Sequence, residues 1–472
     1  MKQLFKKAAV LLAVGMTSVI ALSATACGEE PSGDPDDIPM SELSSLEAIM
    51  ADYDHLNYTY TGQPCTVTMA HWDSAGPMEE ATTRLVIEGF EKRYPSIKVD
   101  LDIISNYADT YSKTIASGNL HDVFMVSDGE FALWADGNKM QNLTPFLNSS
   151  TLITREMLEN DMFEGAVERY QHGPNKTLMC FPKDIGPQVM YYNKDVFDRL
   201  GVDYPPNDRI MTIAEAKEMW KALTKVESNG RTSIYGLAAM TSEGLVWSGG
   251  GDYLNETRDG FPEDEQSVAA IRQAYQFLQD AVCVDKFIPD GAVSGGLSGM
   301  DMFCAERAAT IIGGRWDVTA LRTMKFNWDI AYVPSFEGED SAKNYWSGSV
   351  GYAMFNQSEH KEAAWKLIEY FGSPEGQAIL AGSGFSIPIY ESVAYDEEVV
   401  AREKALGPQN YEVFIESAKK QPAGTHTYLA SQRWLSEGYN ALAVNLYSSN
   451  ESSRWTVDEY ITAVRNKVNS LI

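Results

Sequence analysis

Residues 182–197 read "PKDIGPQVMYYNKDVF". The first half, Pro182 to Pro187, is polar and turn-forming, with two prolines and a glycine. Val189-Met190-Tyr191-Tyr192 is an apolar run of strand-forming residues. Asn193-Lys194-Asp195 then opens a helical pattern, with Asn193 placed to cap it. Neighbouring residues of a strand point to opposite faces. The paired tyrosines are therefore expected to pack one ring on each face.

The chain before this stretch alternates strands and helices. "CTVTMAHW" (65–72) is a strand that Gly76-Pro77 breaks. Leu85, Val86, Phe90 and Tyr94 follow at helical spacing and stop before Pro95. "IKVDLDII" (97–104) alternates as a strand does, "TYSKTIAS" (110–117) is a short helix closed by Gly118, and "HDVFMVS" (121–127) is an apolar strand. A β-α-β-α-β order implies a parallel sheet with helices on both faces. Ligands in such sheets bind beyond the carboxyl ends of the strands, after residues 71 and 126. After the quoted stretch, "TIAEAKEMWKALTK" (212–225) is a helix with a Thr212/Glu215 capping box. Strands are expected at 235–240, 308–316, 328–336 and 349–355, a long amphipathic helix at 266–282, a helix pair at 360–388, and helices through the last 70 residues.

The N-terminus has the layout of an export signal. Lys2, Lys6 and Lys7 precede an uncharged stretch, 8–26, and "ATAC" ends on Cys27. This resembles a bacterial lipobox, in which Cys27 becomes the lipidated first residue; an uncleaved membrane anchor is the alternative. Residues 28–39, "GEEPSGDPDDIP", form an acidic tether, and 40–62 could be either a cap or linker. The net charge of −28 argues against nucleic acid as a partner, since phosphate binding needs clustered Lys and Arg. Cys65, Cys180, Cys283 and Cys304 form no C-x-x-C pair, which argues against a zinc or thioredoxin-like site; export permits disulfides, with three possible pairings, but buried free thiols are favoured.

Five segments in order carry a family resemblance: "ASGNLHDVFMVS", "LTPFL", "FPKDIGPQVMYYNKDVFDRLGVDYPP", "MFCAERAATIIGGRW" and "HKEAAWKLIEYFGSPEGQAIL". Together they resemble the extracellular solute-binding proteins of the sugar-binding group that feed ABC importers. His121 stands where that family usually has Pro, and the Trp usual after "DYPP" is missing. The resemblance implies an α/β fold of two periplasmic-binding-protein-like lobes, crossover strands between them, and a ligand cleft that closes by hinge motion. Crossings are expected near 184–190 and between 332 and 348, with a return near 386. The implied organisation is a signal peptide (1–26), a tether (27–62), lobe 1 (63–186 plus 345–385) and lobe 2 (187–344 plus 386–472). The implied protein is a monomeric, non-catalytic lipoprotein on the outer face of the cytoplasmic membrane. It would pass a carbohydrate to ABC permease subunits and need no cofactor or metal.

A neutral sugar offers C–H faces to aromatic rings and hydroxyl edges to polar side chains, and each hydroxyl stripped of water needs a replacement partner. The candidates are polar and aromatic residues at strand ends and on the crossover: Trp72, Asp73, Asp128, Asp184, Gln188, Trp247, Asp252, Arg315, Trp316, Asp317, Tyr345 and Trp346. In the family, the slot after Gly313-Gly314 often supplies a stacking Trp, which points to Trp316. Phe385 and Ser386 are weaker candidates at the later exit. Each has a plainer alternative: core packing for Trp72 and Trp247, helix capping for Asp128, a lobe interface for Tyr345 and Trp346. Trp365 shares a helix face with Ile368 and Phe371 and reads as core, while Glu375 and the lysines of 360–366 read as a solvated face.

Three other classes are weighed. A glycan-active enzyme has no supporting G-x-S-x-G, H-E-x-x-H or Walker motif. A ferric-ion binder could use adjacent tyrosines, but these diverge across a strand and no histidine cluster accompanies them. A peptide or amino-acid binder would need a charge partner, which Arg315 could supply.

Overall fold

The computed structural model describes residues 46–472, apart from 74–76, 291–296, 339–346, 383, 385, 421–432 and 449. Tyr345, Trp346, Phe385, Cys27 and the segment before residue 46 lie outside the described residues. Along the chain the principal strands are β1 (Cys65–Trp72), β2 (Ile97–Ile104), β3 (Val123–Ser127), β4 (Cys180–Pro182), β5 (Gly186–Pro187), β6 (Val189–Asn193), β7 (Lys225–Val226), β8 (Thr232–Leu237), β9 (Ala308–Gly313), β10 (Trp328–Ala331), β11 (Ser347–Gly348) and β12 (Val350–Met354).

They form two five-stranded sheets. The first runs β2-β1-β3-β12-β4, with β1 parallel to β2 and β3 and β12 antiparallel to β3 and β4. The second runs β10-β6-β9-β8-β7, with β8 parallel to β9 and β6 antiparallel to β9 and β10. Between them the chain crosses side by side: β5 pairs antiparallel with β11, Gly186 opposite Gly348, and Ile185 bridges to Ile387.

The quoted stretch spans this junction. Pro182 ends β4 in the first sheet, and Val189 begins β6 in the second. Tyr191 packs with Ile330, Phe303 and Phe414 on one face of β6. Tyr192 packs with Met190, Phe197 and Trp220 in a different core. Asn193 accepts from the Val196 N–H at 3.0 Å and caps the helix Lys194–Leu200. The tyrosines are packing groups, one to each face, as strand alternation requires.

Close packing of the second sheet depends on Gly236 in β8. A Cβ there would stand 2.1 Å from the Trp220 carbonyl oxygen, so only glycine lets the helix Ile213–Leu223 lie on the strand. The Trp220 ring N–H donates to Thr310 at 2.9 Å, and the Thr310 hydroxyl donates to the Gly236 carbonyl at 2.7 Å. That helix begins with the expected capping box: the Glu215 N–H donates to Thr212 Oγ1 at 3.2 Å, and the Thr212 N–H donates to Glu215 Oε2 at 2.8 Å. Thr212→Ala is expected to lower unfolding free energy by about 1 kcal/mol in urea titrations, with little change in slope.

Two readings of surface need revision. Glu375 is not on a solvated face but fully buried at the back of the first lobe. Arg93 donates to it through Nε at 3.1 Å, and Tyr370 through its hydroxyl at 2.8 Å; Tyr58 also donates to it. The cause is a strap from the N-terminal side. The helix Leu46–Asp52 buries Leu46 and Met50, and Asp54 pairs with Arg93 at 2.7 Å. The second revision concerns the thiols: none of Cys65, Cys180, Cys283 and Cys304 is in a disulfide, but only Cys180 is fully buried. Trp365 is core, 3% exposed.

Candidate functional site

Asp184 and Gln188 lie on the crossover, Trp316 lies against it, and Asp128 and Trp72 are tied to it through hydrogen bonds and an ion pair. Trp316 follows β9 in a short 3-10 turn, Arg315–Asp317, and is 39% exposed, unusual for a large aromatic ring. Its ring edge lies against the crossover: a Cβ on Gly186 would stand 3.1 Å from a Trp316 ring carbon. Glycine at 186 thus makes room for the ring.

Asp184 sits beside this ring's neighbour on the same crossing strand. Its Oδ1 accepts from the Val350 N–H at 3.0 Å and its Oδ2 from Ser386 at 3.4 Å, while the Ser349 hydroxyl donates to its backbone carbonyl at 2.6 Å. Asp128 comes to the same place from the end of β3, where its N–H donates to the Ser349 carbonyl at 3.2 Å. It is the first residue of the helix Asp128–Asp136, whose cap is Ser127 rather than Asp128. Arg169, fully buried, stands 3.6 Å from Asp128 and donates to the Ser347 carbonyl at 3.2 Å. Trp72, half-buried at the end of β1, donates from its ring N–H to Glu79 at 2.5 Å. Lys183 links Glu79, at 2.5 Å, to Asp184, at 3.6 Å.

The other candidates lie differently. Asp73 is exposed and Gln188 half-buried on the crossover. Trp247 is buried in the second-lobe core, edge-on to Tyr253, and donates to Asp252 at 3.4 Å; Asp252 also pairs with Arg258 at 2.8 Å. Asp317 is buried and accepts the Gly314 N–H at 3.1 Å, closing the turn that presents Trp316. Arg315 has a protein partner where a ligand charge was considered. It is 2% exposed and donates to Glu403 and to the Gly384 carbonyl. A strongly buried guanidinium needs a fixed anion, and Glu403 supplies it.

Sequence reading missed Glu79, Lys183 and Arg169. Lys183 was in the quoted stretch, but its partner lies 104 residues away, and no local spacing links them.

Burial dominates the electrostatics. Asp128 is pushed up to about 6 by burial, with the Asp184 charge adding and Arg169 opposing. Glu130, two residues further along the same helix, is pushed up to about 7 by burial and the Asp128 charge. Burial lifts Asp317 to about 7. Burial also works against charge on Glu79, yet the Lys183 ammonium outweighs it and holds Glu79 below the usual carboxylate range. A carboxyl whose pKa is raised by folding contributes fully only below its unfolded value, about 4, and the contribution is lost as pH climbs through 6 to 7. The unliganded protein is therefore expected to lose roughly 5 °C of Tm between pH 5 and pH 8. Asp317→Asn should flatten that slope. A Tm that rises across the window, with the same slope in the variant, would contradict the assignment.

The resulting surface combines an exposed aromatic face with carboxylates able to accept hydroxyl hydrogens. It suits a neutral, hydroxyl-rich ligand.

Comparison with known proteins accords with this geometry. Residues 86–439 match the family model described as bacterial extracellular solute-binding protein. The chain is 22% identical over 260 residues to the galactooligosaccharide-binding protein of Bacillus subtilis, covering 52% of this chain but only 58% of that one. It is 24% identical over 411 residues to a maltooligosaccharide ABC transporter solute-binding lipoprotein of Streptococcus pneumoniae, covering 82% of each. Among solved structures, an ABC substrate-binding protein from Listeria monocytogenes in complex with cycloalternan superposes with a TM-score of 0.70 at 19% identity, over 86% of this chain and 98% of that one. The fold is accordingly the two-lobe periplasmic-binding-protein fold.

Proposed function

Because the chain belongs to the family of bacterial extracellular solute-binding proteins, we propose that it captures an oligosaccharide at the crossover between its lobes and delivers it to the permease of an ABC importer. The observation that carries this reading is Trp316: a tryptophan 39% exposed, its ring laid along the crossing strand at Gly186. An indole in that position offers a stacking face to a sugar ring, and Asp128 and Asp184 offer acceptors to its hydroxyls. The names of the B. subtilis and S. pneumoniae relatives, one a galactooligosaccharide binder and the other a maltooligosaccharide binder, support a chain of sugars over a single one. The peptide or amino-acid reading loses its main support, since Arg315 is paired with Glu403.

In this proposal Cys27 carries a lipid, as the name of the pneumococcal relative suggests for that protein. Residues 27–45 tether the lobes to the outer face of the membrane. The protein binds without turnover and acts as a monomer.

A thermal-shift panel tests the function. Maltotriose, maltohexaose, galactosyl oligosaccharides, glucose, amino acids and tripeptides are each added in excess. A ligand at 100 times its Kd stabilises by about 2.7 kcal/mol, so a binding oligosaccharide is expected to raise Tm by several degrees. A panel in which only amino acids or peptides raise Tm would overturn the carbohydrate assignment.

A further inference from the structure

One deeply buried ion pair near the crossover has no evident role in binding by itself. Glu79 is 2% exposed and Lys183 1% exposed. Pairs this deep are often no more stabilising than apolar residues of the same volume, so their presence asks for another reason. Each member holds a second group. One Glu79 oxygen takes the Lys183 ammonium at 2.5 Å, and the other takes the Trp72 ring N–H at 2.5 Å. The same ammonium stands 3.6 Å from Asp184.

Both ends are also fixed independently. The carbonyl of Trp72 accepts from His71 Nδ1 at 2.8 Å, which leaves His71 Nε2 to accept the Thr83 hydroxyl at 3.0 Å. Glu79 and Thr83 stand one turn apart on the helix Pro77–Arg93, so a single helix face grips the indole and the backbone of residue 72. The Trp72 ring meets Tyr107 edge-on at 6.2 Å. At the other end, the Lys183 N–H donates to Val350 at 2.7 Å, and its carbonyl accepts from Gln377 at 2.9 Å.

We propose that Glu79 and Lys183 are positioning residues of the cleft: a buried pair that sets the Trp72 indole at one end and the Asp184 carboxylate at the other, so that the exit of β1 and the crossover strand present their groups as one unit. The value of this pair for binding rests on the cleft reading above; its control of Trp72 does not.

The test begins without ligand. The protein is labelled with 15N at its ten tryptophan indoles, and the Trp72 N–H resonance is assigned by its loss in Trp72→Phe. In the wild type this resonance should be shifted downfield and slow to exchange with solvent, as for an N–H bonded to a buried carboxylate. Lys183→Met should move it and speed exchange at least tenfold, although Lys183 does not itself donate to or accept from the indole. Lys183→Arg should restore most of the shift. If Lys183→Met leaves Glu79 charged and uncompensated and fails to fold, Glu79→Gln/Lys183→Met, a neutral pair, carries the same measurement. An indole resonance unmoved in both variants would overturn the proposal.

Calorimetry with maltotriose adds the binding arm. Glu79→Gln is expected to weaken binding about tenfold in the wild-type background and less than twofold in Trp72→Phe. An equal loss in both backgrounds would show that Glu79 does not act through Trp72 and would overturn the positioning role. If maltotriose binds no form of the protein while the resonance still responds to Lys183→Met, control of Trp72 stands and the maltooligosaccharide form of the carbohydrate reading falls.

Discussion

Trp316→Ala is expected to abolish the oligosaccharide-induced rise in Tm and to weaken binding at least about 100-fold by calorimetry, while the unliganded Tm moves little. The two halves of this expectation have separate causes. The ring is 39% exposed, so truncation removes less buried area from the folded state than it would at a core tryptophan such as Trp220 or Trp434. A sugar stacked on it would lose a whole aromatic face, and the hydroxyls aligned on Asp128 and Asp184 would lose their register. Binding loss without loss of fold is the signature of a contact residue. Unchanged affinity would remove Trp316 from the site, and a large fall in unliganded Tm would make it a packing residue.

The second large effect falls at Glu403. Its carboxylate, 1% exposed, takes Arg315 and Arg322 and has Arg402 at 3.6 Å. Burial resists charge on Glu403, but Arg315 and then Arg322 hold its pKa below the usual value. Its contribution is present above about pH 4.5 and lost as pH falls through that lowered value. Glu403→Gln leaves Arg315 buried beside Tyr411 and Phe414 with no anion. The expected cost is about 3–5 kcal/mol in urea unfolding at pH 7. A loss below about 1 kcal/mol would mean that water already serves these arginines. Combining Glu403→Gln with Arg315→Gln should cost less than the two single changes added, since the orphaned cation is then gone.

Arg315 and Trp316 show how far sequence reading reaches. Both follow Gly313-Gly314, and both were reasonable cleft residues. One turn of 3-10 helix sends the arginine into the Glu403 cluster and leaves the indole exposed. That choice depends on Glu403, 88 residues later, which no local pattern marks. The Thr212/Glu215 cap, the Asn193 cap and the divergent tyrosines were legible because each is decided within four residues. The first three strands were legible for the same reason. Glu375 was misread because its periodicity is that of an exposed position; Arg93, 282 residues earlier, and the Leu46–Asp52 strap bury it. The Glu79–Lys183 pair was invisible on the same grounds. Local chemistry reports elements and caps, while buried charges are settled by partners brought together only in the folded chain.

The first sheet has a further consequence in the time order of synthesis. Its strand order is β2-β1-β3-β12-β4, so the strand joining β3 to β4 is made of residues 350–354. A ribosome adding about 5–20 residues per second needs about 10–45 s to travel from the end of β3 to the end of β12. For that interval the first sheet lacks the strand that joins β3 to β4 and cannot be completed, however favourable its early strands. Until then β4 has no partner in the sheet, because β12 is the strand it pairs with. The strand order thus ties completion of the first sheet to the synthesis of residues 350–354.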